Sequence, residues 1–270
     1  NELNEPIGVL EKAPLEAHKL VEEFMLLANR AVAHKLENSI YRVHDLPDKE
    51  QLEFAARYLK ECGAGQVDLN TKNKDLPSKI NSFLKREDIN SHVFQNLILR
   101  SMAKAKYTTK NIGHFGLGFQ KYTHFTSPIR RYADLVVHRM VSQHLSKKKQ
   151  TIKNLEKKCN HFSGLERTYI DIERKINKFV QLKLLEMHIG EVFKGVISGI
   201  VKWGIYVELE EARGEGLVSL KNLGREYYYN SSFLSFVSRK TGEKYVLGTG
   251  VLVELKSIDL IKKEMDLVIV

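Results

Sequence analysis

Two consecutive arginines follow a serine and a proline in the segment 126–134, and this combination of residues can bind a phosphate. Ser127 followed by Pro128 is typical of a helix start, with a hydroxyl N-cap and proline at the first helical position. Arg130 then falls in the first turn, where backbone N–H groups lack partners and the helix dipole repels a cation. A bound anion would resolve that conflict, because free amides, a hydroxyl and a guanidinium together bind phosphate. Alternatively, the arginines are solvated or paired with Asp134, four residues after Arg130.

The elements that must position this segment are mostly helical. Apolar residues at helical spacing predict further helices over residues 15–36, 48–62, 78–85, 89–106 and 151–187. In the first of these, Leu20, Phe24 and Leu27 are predicted to face the core. The pattern of the last helix is interrupted near Ser163 and Gly164.

From Gly190 onwards the hydrophobic period changes from helical to alternating. Strands are predicted over residues 191–198, 203–209, 216–218, 251–255 and 265–270. Five short strands in about 80 residues indicate a small OB-type barrel. The predicted fold class is therefore α+β, with a mostly helical part over residues 1–187 and a five-stranded barrel over residues 188–270.

Aromatic and basic residues of the predicted barrel indicate a surface for single-stranded nucleic acid. Phe193, Trp203 and Tyr206 would stack on bases, while Lys194 and Lys202 would contact phosphates at the rim. The alternative is that the aromatic residues form the barrel core. Trp203 is predicted to be exposed, because it stands beside a glycine at a strand start.

The net charge of the chain is +10, and it is unevenly distributed. Counting from the sequence, residues 1–187 carry 32 basic and 22 acidic side chains, whereas residues 188–270 carry 11 of each. An excess of positive charge in one part favours a polyanionic partner there. No apolar run is long enough to span a membrane. Cys62 and Cys159 lack metal-binding spacing and are predicted to be reduced, packed thiols, as in cytosolic proteins.

The arginine segment also carries a resemblance to a known family. His114-Phe-Gly-Leu-Gly-Phe119 followed by Tyr122-Thr-His-Phe-Thr-Ser-Pro-Ile-Arg-Arg-Tyr-Ala-Asp134 resembles the signature of the RNase II/RNase R (RNB) family of 3′→5′ exoribonucleases. The form of the motif is more similar to RNase R than to RNase II. The part after Gly190 resembles the S-one RNA-binding module, an OB-fold, except that Ser219 stands where many members carry histidine. Residues 1–187 would then be the C-terminal portion of the catalytic domain.

The resemblance implies processive hydrolysis of RNA from its 3′ end to nucleoside monophosphates, with two divalent metals, normally Mg²⁺. It implies that Arg130 is catalytic and clamps the scissile phosphate. Further RNA contacts are implied or expected for Arg131, Ser127, His114, Tyr122 and Glu173. His44 is interpreted as either an RNA contact or a structural residue. The expected partners are RNA and an RNA helicase or other RNA-decay proteins, in the cytoplasm.

No metal site is predicted in this chain. The family takes its metal ligands from an aspartate cluster near the start of the catalytic domain, whereas here no aspartate precedes Asp45 and the later ones are dispersed. We therefore expect a C-terminal part of a longer enzyme. A catalytically inactive homologue that binds RNA or acts as a scaffold is the alternative.

Overall fold

The structure is a computed structural model, and it describes residues 6, 8, 15–61, 76–84, 91–148, 152–210, 214–224, 226–231 and 233–270. Cys62 and most of the first fourteen residues, which were expected to be extended, lie outside these ranges. Within them the predicted α+β class is confirmed, with helices before residue 186 and mostly strands after residue 191.

The helical part follows the predicted order closely. Its helices are α1 (Glu16–Lys35), α2 (Lys49–Glu61), α3 (Leu76–Leu84), α4 (Ser91–Ser101), α5 (Tyr132–Leu145) and α6 (Leu155–Leu185). The predicted helix over 89–106 ends early, because β2 (Lys106–Thr108) pairs antiparallel with β1 (Tyr41–Val43). The predicted interruption of α6 is wrong, since the helix continues through Gly164.

The predicted inward face of α1 is also wrong. Leu20, Phe24 and Leu27 are each about 60% exposed, whereas the buried residues of this helix are Asn29 and Ala33. The physical reason is that the loop packed against α1 needs hydrogen bonds, which an apolar stripe does not supply. The apolar stripe is therefore largely exposed to solvent in the described chain.

The C-terminal part contains the predicted five-stranded closed barrel. Its strands, in their order around the barrel, are β10 (Glu264–Ile269), β5 (Glu215–Ser219), β4 (Gly204–Leu209), β3 (Val192–Val201) and β9 (Gly250–Asp259). Strands β5 and β10 pair parallel and the other neighbours pair antiparallel. Alternate residues such as Ile205, Val207 and Leu209 fill the interior and are fully buried.

A second sheet, which the strand pattern did not predict, is inserted into the barrel sequence. It follows the short helix α7 (Leu220–Leu223) and consists of β6 (Tyr227–Asn230), β7 (Ser235–Ser238) and β8 (Lys244–Tyr245) in that order. These strands have only two to four residues, which is too short for alternation to reveal them.

The helical part and the barrel share one hydrophobic core. Buried side chains of α2, α4 and the end of α6 form a single cluster with those of the barrel. The link is also polar: the buried hydroxyl of Tyr58 in α2 accepts a hydrogen bond from Leu247 N at 2.8 Å. The two parts therefore support each other's folding. Among the described helices, none has the length and apolarity needed to cross a bilayer.

Candidate nucleic-acid interface

The loop that precedes α5 is held in place by Asn29, a buried residue of α1. Its Oδ1 accepts hydrogen bonds from Phe125 N at 2.9 Å and Thr126 N at 3.2 Å. Its Nδ2 donates to the Tyr122 hydroxyl at 3.0 Å. One amide side chain thus satisfies two backbone donors and one hydroxyl, which fixes the path of the loop. The hydrophobic pattern of α1 did not predict this role, although an asparagine among apolar helix residues is a signal of a buried hydrogen bond.

A second anchor comes from α5 itself. The carboxylate of Asp134 is fully buried and accepts hydrogen bonds from Ser127 N at 2.8 Å and from both Nε and Nη2 of Arg131 at 2.9 Å. This is a bidentate pair, the strongest type of side-chain hydrogen bonding to a carboxylate. Asp134 therefore orients Arg131, and it does not pair with Arg130.

The predicted helix start at Ser127 is wrong. Residues 128–130 form a turn in which Ser127 O accepts from Arg130 N at 3.3 Å and from Arg131 N at 3.0 Å. The helix begins at Tyr132, with Arg131 in an extended conformation at the N-cap position. The reason is the hydrogen bond of Ser127 N to Asp134, which folds the chain back onto the first helical turn. Arg130 therefore precedes the helix, so the expected repulsion between its charge and the dipole of α5 does not apply to this side chain.

Arg130 is left available at the tip of this turn. Its side chain is exposed, and in the described part of the chain it forms no ion pair or side-chain hydrogen bond. Beside it, Thr126 Oγ1 is buried without a hydrogen-bond partner in those residues. Because buried hydroxyls normally have partners, this one marks an unfilled hydrogen-bonding position. A guanidinium that has no internal partner, on a turn fixed from both sides, is suited to bind an external anion.

Two histidines flank the same loop with their rings stacked. His44 and His114 have ring centroids 5.2 Å apart. His44 Nδ1 accepts from Gly116 N at 2.9 Å, and His114 Nδ1 accepts from Leu117 N at 3.2 Å. Since each Nδ1 is an acceptor, each ring carries its proton on Nε2. Burial, followed by the charges of His44 and Arg42, lowers the pKa of His114 to about 4, so its ring is neutral near pH 7.

The predicted RNA contact by Tyr122 does not fit the structure. Tyr122 is only 5% exposed and packs edge-on against His114 and His124. Its role in the described chain is to complete the loop's interior. Burial, followed by Arg131 and Arg42, lowers the pKa of His124 to about 2. A neutral His124 can accept the hydrogen bond that the Tyr107 hydroxyl makes to its Nδ1 at 2.8 Å.

Helix α6 borders the loop through an ion pair that the sequence analysis did not anticipate. Arg42 Nη1 lies 2.6 Å from Glu166 Oε2, and its guanidinium also stacks over the Tyr107 ring at 4.8 Å. Glu173 follows Glu166 by seven residues, which is about two turns, so both project from the same side of α6. Glu173 is exposed. The helix therefore presents this carboxylate beyond the Arg42 ion pair.

On the barrel, the structure separates the three predicted aromatic residues. Trp203 is 52% exposed in the turn between β3 and β4. Tyr206 is half-buried and points outward, because its neighbours Ile205 and Val207 point inward. Phe193 pairs with the buried Val253 and packs against the barrel core while it stays partly exposed, which favours the alternative of a core position over an outer stacking surface.

The predicted basic rim is exposed. Lys194 lies on β3 and Lys202 lies in the turn before Trp203, and both side chains are open to solvent. Ser219, at the end of β5, pairs with Gly204 directly after Trp203. Lys202, Trp203 and Tyr206 lie at or near the turn of the β3–β4 hairpin and combine aromatic and cationic groups, which is the composition that single-stranded nucleic acids require, whereas Lys194 lies at the open end of the hairpin, beside Glu210.

The described residues do not fit a divalent metal. No group of three or more histidine, cysteine, aspartate or glutamate side chains converges among them. The free thiol of Cys159 is buried, and burial raises its pKa to about 12, so it is not a thiolate ligand. We therefore derive no chemical step through a metal ion from these residues.

Replacing Asn29 by alanine should lower the free energy of unfolding by at least about 2 kcal/mol, because one buried hydroxyl and two partly buried backbone N–H groups lose their partner. Urea unfolding measures this change, and amide hydrogen exchange should accelerate over residues 122–131. Glu22→Ala, at an exposed position of the same helix, is the control. A loss below about 0.5 kcal/mol would contradict the assigned anchoring role.

The neutral histidines predict a stability that depends on pH. The pKa values of His114 and His124 are lowered in the folded chain. Their contribution to the free energy of unfolding is therefore fully present above the unfolded pKa of 6.5, and it decreases as the pH falls towards 4. Each contributes a slope of up to about 1.4 kcal/mol per pH unit. In the double variant His114→Gln/His124→Gln, the free energy of unfolding, measured with urea between these pH values, should depend less steeply on pH. The control variant His144→Gln should keep the slope of the parent chain. An unchanged slope in the double variant would disprove the explanation.

Comparison with known proteins agrees with this geometry. The model of the RNB domain matches residues 1–147, and the model of the S1 RNA binding domain matches residues 186–269. Ribonuclease R of Aquifex aeolicus is 35% identical over 272 residues, which cover 96% of this chain and 38% of that protein. The chain thus spans well under half the length of this relative.

Two solved structures show the same arrangement over the whole chain. The apo form of Mycoplasma genitalium RNase R has a TM-score of 0.92 at 29% identity, covering 100% of this chain and 44% of that one. Its complex with ribose methylated single-stranded RNA has a TM-score of 0.91 at 29% identity, with the same coverage. Since the RNB model covers more than half of its residues, the chain belongs to the RNB family, and it is similar to ribonuclease R.

Proposed function

We propose that this chain is part of a processive 3′→5′ exoribonuclease that hydrolyses single-stranded RNA to nucleoside monophosphates. The observation that carries the proposal is the exposed guanidinium of Arg130 on a turn that Asn29 and Asp134 hold in place. Similarity to ribonuclease R supports it, since the matching segment includes this turn. Residues 1–187 would supply the phosphate clamp and residues 188–270 would hold the RNA.

In this proposal Arg130 binds the scissile phosphate and offsets the negative charge that develops on it during cleavage. A fixed donor serves this purpose better than a mobile one, because it needs no reorganisation during the reaction. Asp134 keeps Arg131 directed at the loop interior, so only one of the two guanidinium groups remains without an internal partner. Arg131 and Ser127 then contribute by holding the turn, and any contact of theirs with RNA would be through the backbone phosphates.

The neutral histidines would add hydrogen-bond donors without adding charge. His44 and His114 each hold a proton on Nε2, because each Nδ1 accepts a hydrogen bond from a backbone N–H. In this proposal these two neutral rings contact ribose or phosphate oxygens of the RNA. Glu173 on α6 would face the terminal nucleotide, where a carboxylate can accept hydrogen bonds from ribose hydroxyls.

The chemistry of water activation would come from divalent metal ions, and we propose Mg²⁺. The described residues do not bind it, so its carboxylate ligands would belong to a part of the protein outside them. The length of the relatives leaves room for such a part. Action in the cytoplasm and association with an RNA helicase or another RNA-decay protein stay predictions of the resemblance.

A second candidate function is RNA binding without catalysis. It is favoured by the absence of a metal-binding cluster from the described residues. The two functions differ in one measurement, which is the release of nucleoside monophosphates from labelled RNA by the product of the complete open reading frame. Metal-dependent release supports the nuclease, whereas binding without release supports the alternative.

Arg130→Ala, made in the product of the complete open reading frame, should lower kcat by roughly 10²- to 10³-fold, as expected when one oxyanion-stabilising donor is removed. The dissociation constant for single-stranded RNA should change by less than about threefold, because many other contacts hold the strand. Single-turnover hydrolysis and anisotropy titration measure the two values. Arg139→Ala, an exposed arginine of α5, is the matched control. Unchanged turnover in Arg130→Ala would refute the clamp.

Trp203→Ala should weaken binding of single-stranded RNA by roughly 5- to 100-fold, the usual effect of losing one stacked base. The side chain is half exposed, so the thermal midpoint of unfolding should stay the same. Anisotropy titration with labelled oligouridylate gives the affinity. The control is Phe193→Leu, which alters the inner side of the same barrel. Equal affinities of the parent chain and Trp203→Ala would exclude the stacking role.

A further inference from the structure

The three-stranded sheet β6–β7–β8 has two faces of different character. Its inner face is aromatic and packs on the shared core: Phe236 is fully buried, Tyr227 stacks on Tyr245 at 5.1 Å, and Tyr229 contacts Phe236 at 5.6 Å. The family motif and the barrel surface described above make no use of the outer face. This outer face is the feature that remains to be explained.

The strand register defines a continuous row of side chains across the outer face. Tyr228 pairs with Val237, and Val237 pairs with Lys244. Directly paired residues of antiparallel strands project on the same side, with Cβ atoms about 5 Å apart. An aromatic ring, an apolar floor and a cation therefore stand side by side on one surface.

Two more groups extend the row at its ends. The guanidinium carbon of Arg239 lies 5.7 Å from the Tyr228 ring centroid, so a second cation borders the exposed ring. Tyr228 is still 42% exposed, and Phe233, in the loop between β6 and β7, is 41% exposed. These are the large aromatic residues of the outer side that remain open to a ligand.

A groove of about 430 Å³ runs along this face. Its lining includes Tyr58 of α2, the apolar residues Val237 and Val246, and the exposed Phe233 and Lys244. The hydrogen bond from Leu247 N to the Tyr58 hydroxyl fixes Tyr58 against the sheet. The volume is in the range of sites that enclose a small organic group.

The charges at the groove favour an anionic strand. Arg239 and Lys244 form no ion pair in the part of the chain that the structure describes. The neighbouring carboxylate of Glu226 pairs with Lys240 at 3.4 Å, and the carboxylate of Glu243 accepts a hydrogen bond from the Tyr227 hydroxyl. Aromatic faces interleaved with uncompensated cations bind single strands, whose bases are free to stack. A protein partner would be expected to need a wider apolar surface.

We infer that the outer face of the β6–β7–β8 sheet is a second binding surface for single-stranded RNA. Bases stack on Tyr228 and Phe233, while Arg239 and Lys244 contact the phosphates. The inference rests on the proposed function for the identity of the ligand, and it adds a surface separate from Trp203 and the barrel strands. An RNA strand would thereby contact the β6–β7–β8 sheet, which packs on the core shared by α2 and the barrel.

The test compares variants of the 270-residue chain by anisotropy titration with a labelled oligouridylate of about 20 nucleotides, long enough to cover more than one OB-sized site. Tyr228→Ser/Lys244→Ser should raise the dissociation constant about 10-fold or more. Tyr228→Phe, which keeps the ring, and Lys262→Ser, in the exposed turn after β9, should stay within about twofold. Lys244→Ser alone should reduce the slope of log affinity against log salt by about 0.7, the value for one phosphate contact in a single strand.

Cross-linking supplies a second measurement that does not depend on affinity. With RNA that contains 4-thiouridine, irradiation and mass spectrometry should place cross-links on peptides of residues 227–230 and 233–246, besides those near Trp203. Circular dichroism of each variant verifies that it is folded, which is expected because Tyr228 and Lys244 are exposed.

The outcomes separate the inference from the proposed function. If Trp203→Ala weakens binding while Tyr228→Ser/Lys244→Ser and the cross-links show no role of the sheet, the inference is overturned and the proposed function stands. A sheet that retains a protein partner but no RNA likewise overturns the inference. If the parent chain binds no RNA at all, the proposed RNA-holding role is overturned, and the inference with it.

Discussion

The buried carboxylate of Asp134 is the constraint on which the candidate site depends. A fully buried charge is tolerated only when it is paired and its oxygen atoms are hydrogen-bonded. Here the bidentate Arg131 and the Ser127 amide meet that requirement together. The two adjacent arginines therefore have different roles. Arg131 compensates the buried charge of Asp134, and Arg130 lies on the outside of the turn. An arginine pair without this carboxylate would give two mobile cations and no defined position for a phosphate.

The surroundings of the turn are arranged to carry little competing charge. His114 and His124 are neutral near pH 7 because burial and the nearby guanidinium groups disfavour their protonated forms. Tyr107 stays a phenol, since burial raises its pKa to about 12. Apart from the Arg131–Asp134 ion pair, the rings His114, Tyr122, His124 and Tyr107 around the loop are therefore neutral. In such surroundings an exposed cation is the dominant electrostatic feature, and an approaching anion meets no internal carboxylate that is still unpaired in the described chain.

Much of the fold could be predicted from the sequence, because the helices are long and the barrel strands alternate. The failures have physical reasons in single contacts. The direction of α1 depends on the hydrogen bonds of Asn29, which outweigh the apolar stripe that contains Phe24. The start of α5 depends on Asp134, seven residues from the amide it binds. That Phe193 packs against the barrel core follows from its pairing with Val253, which alternation alone does not reveal. Periodicity records which residues share a face, but not which face meets a partner.

The shared core determines how the two RNA surfaces would relate to the clamp. Because α2 and the barrel bury side chains against each other, and Tyr58 bonds the backbone before β9, the barrel is not a module on a loose tether. The groove beside the β6–β7–β8 sheet is lined partly by Tyr58 of α2, so it forms only when the helical part and the barrel are both folded. A strand held by the barrel and the sheet would therefore be held at a fixed distance from the Arg130 turn. In the proposed exoribonuclease such rigidity would suit stepwise cleavage, since each advance of the strand would bring an equivalent phosphate to the same guanidinium.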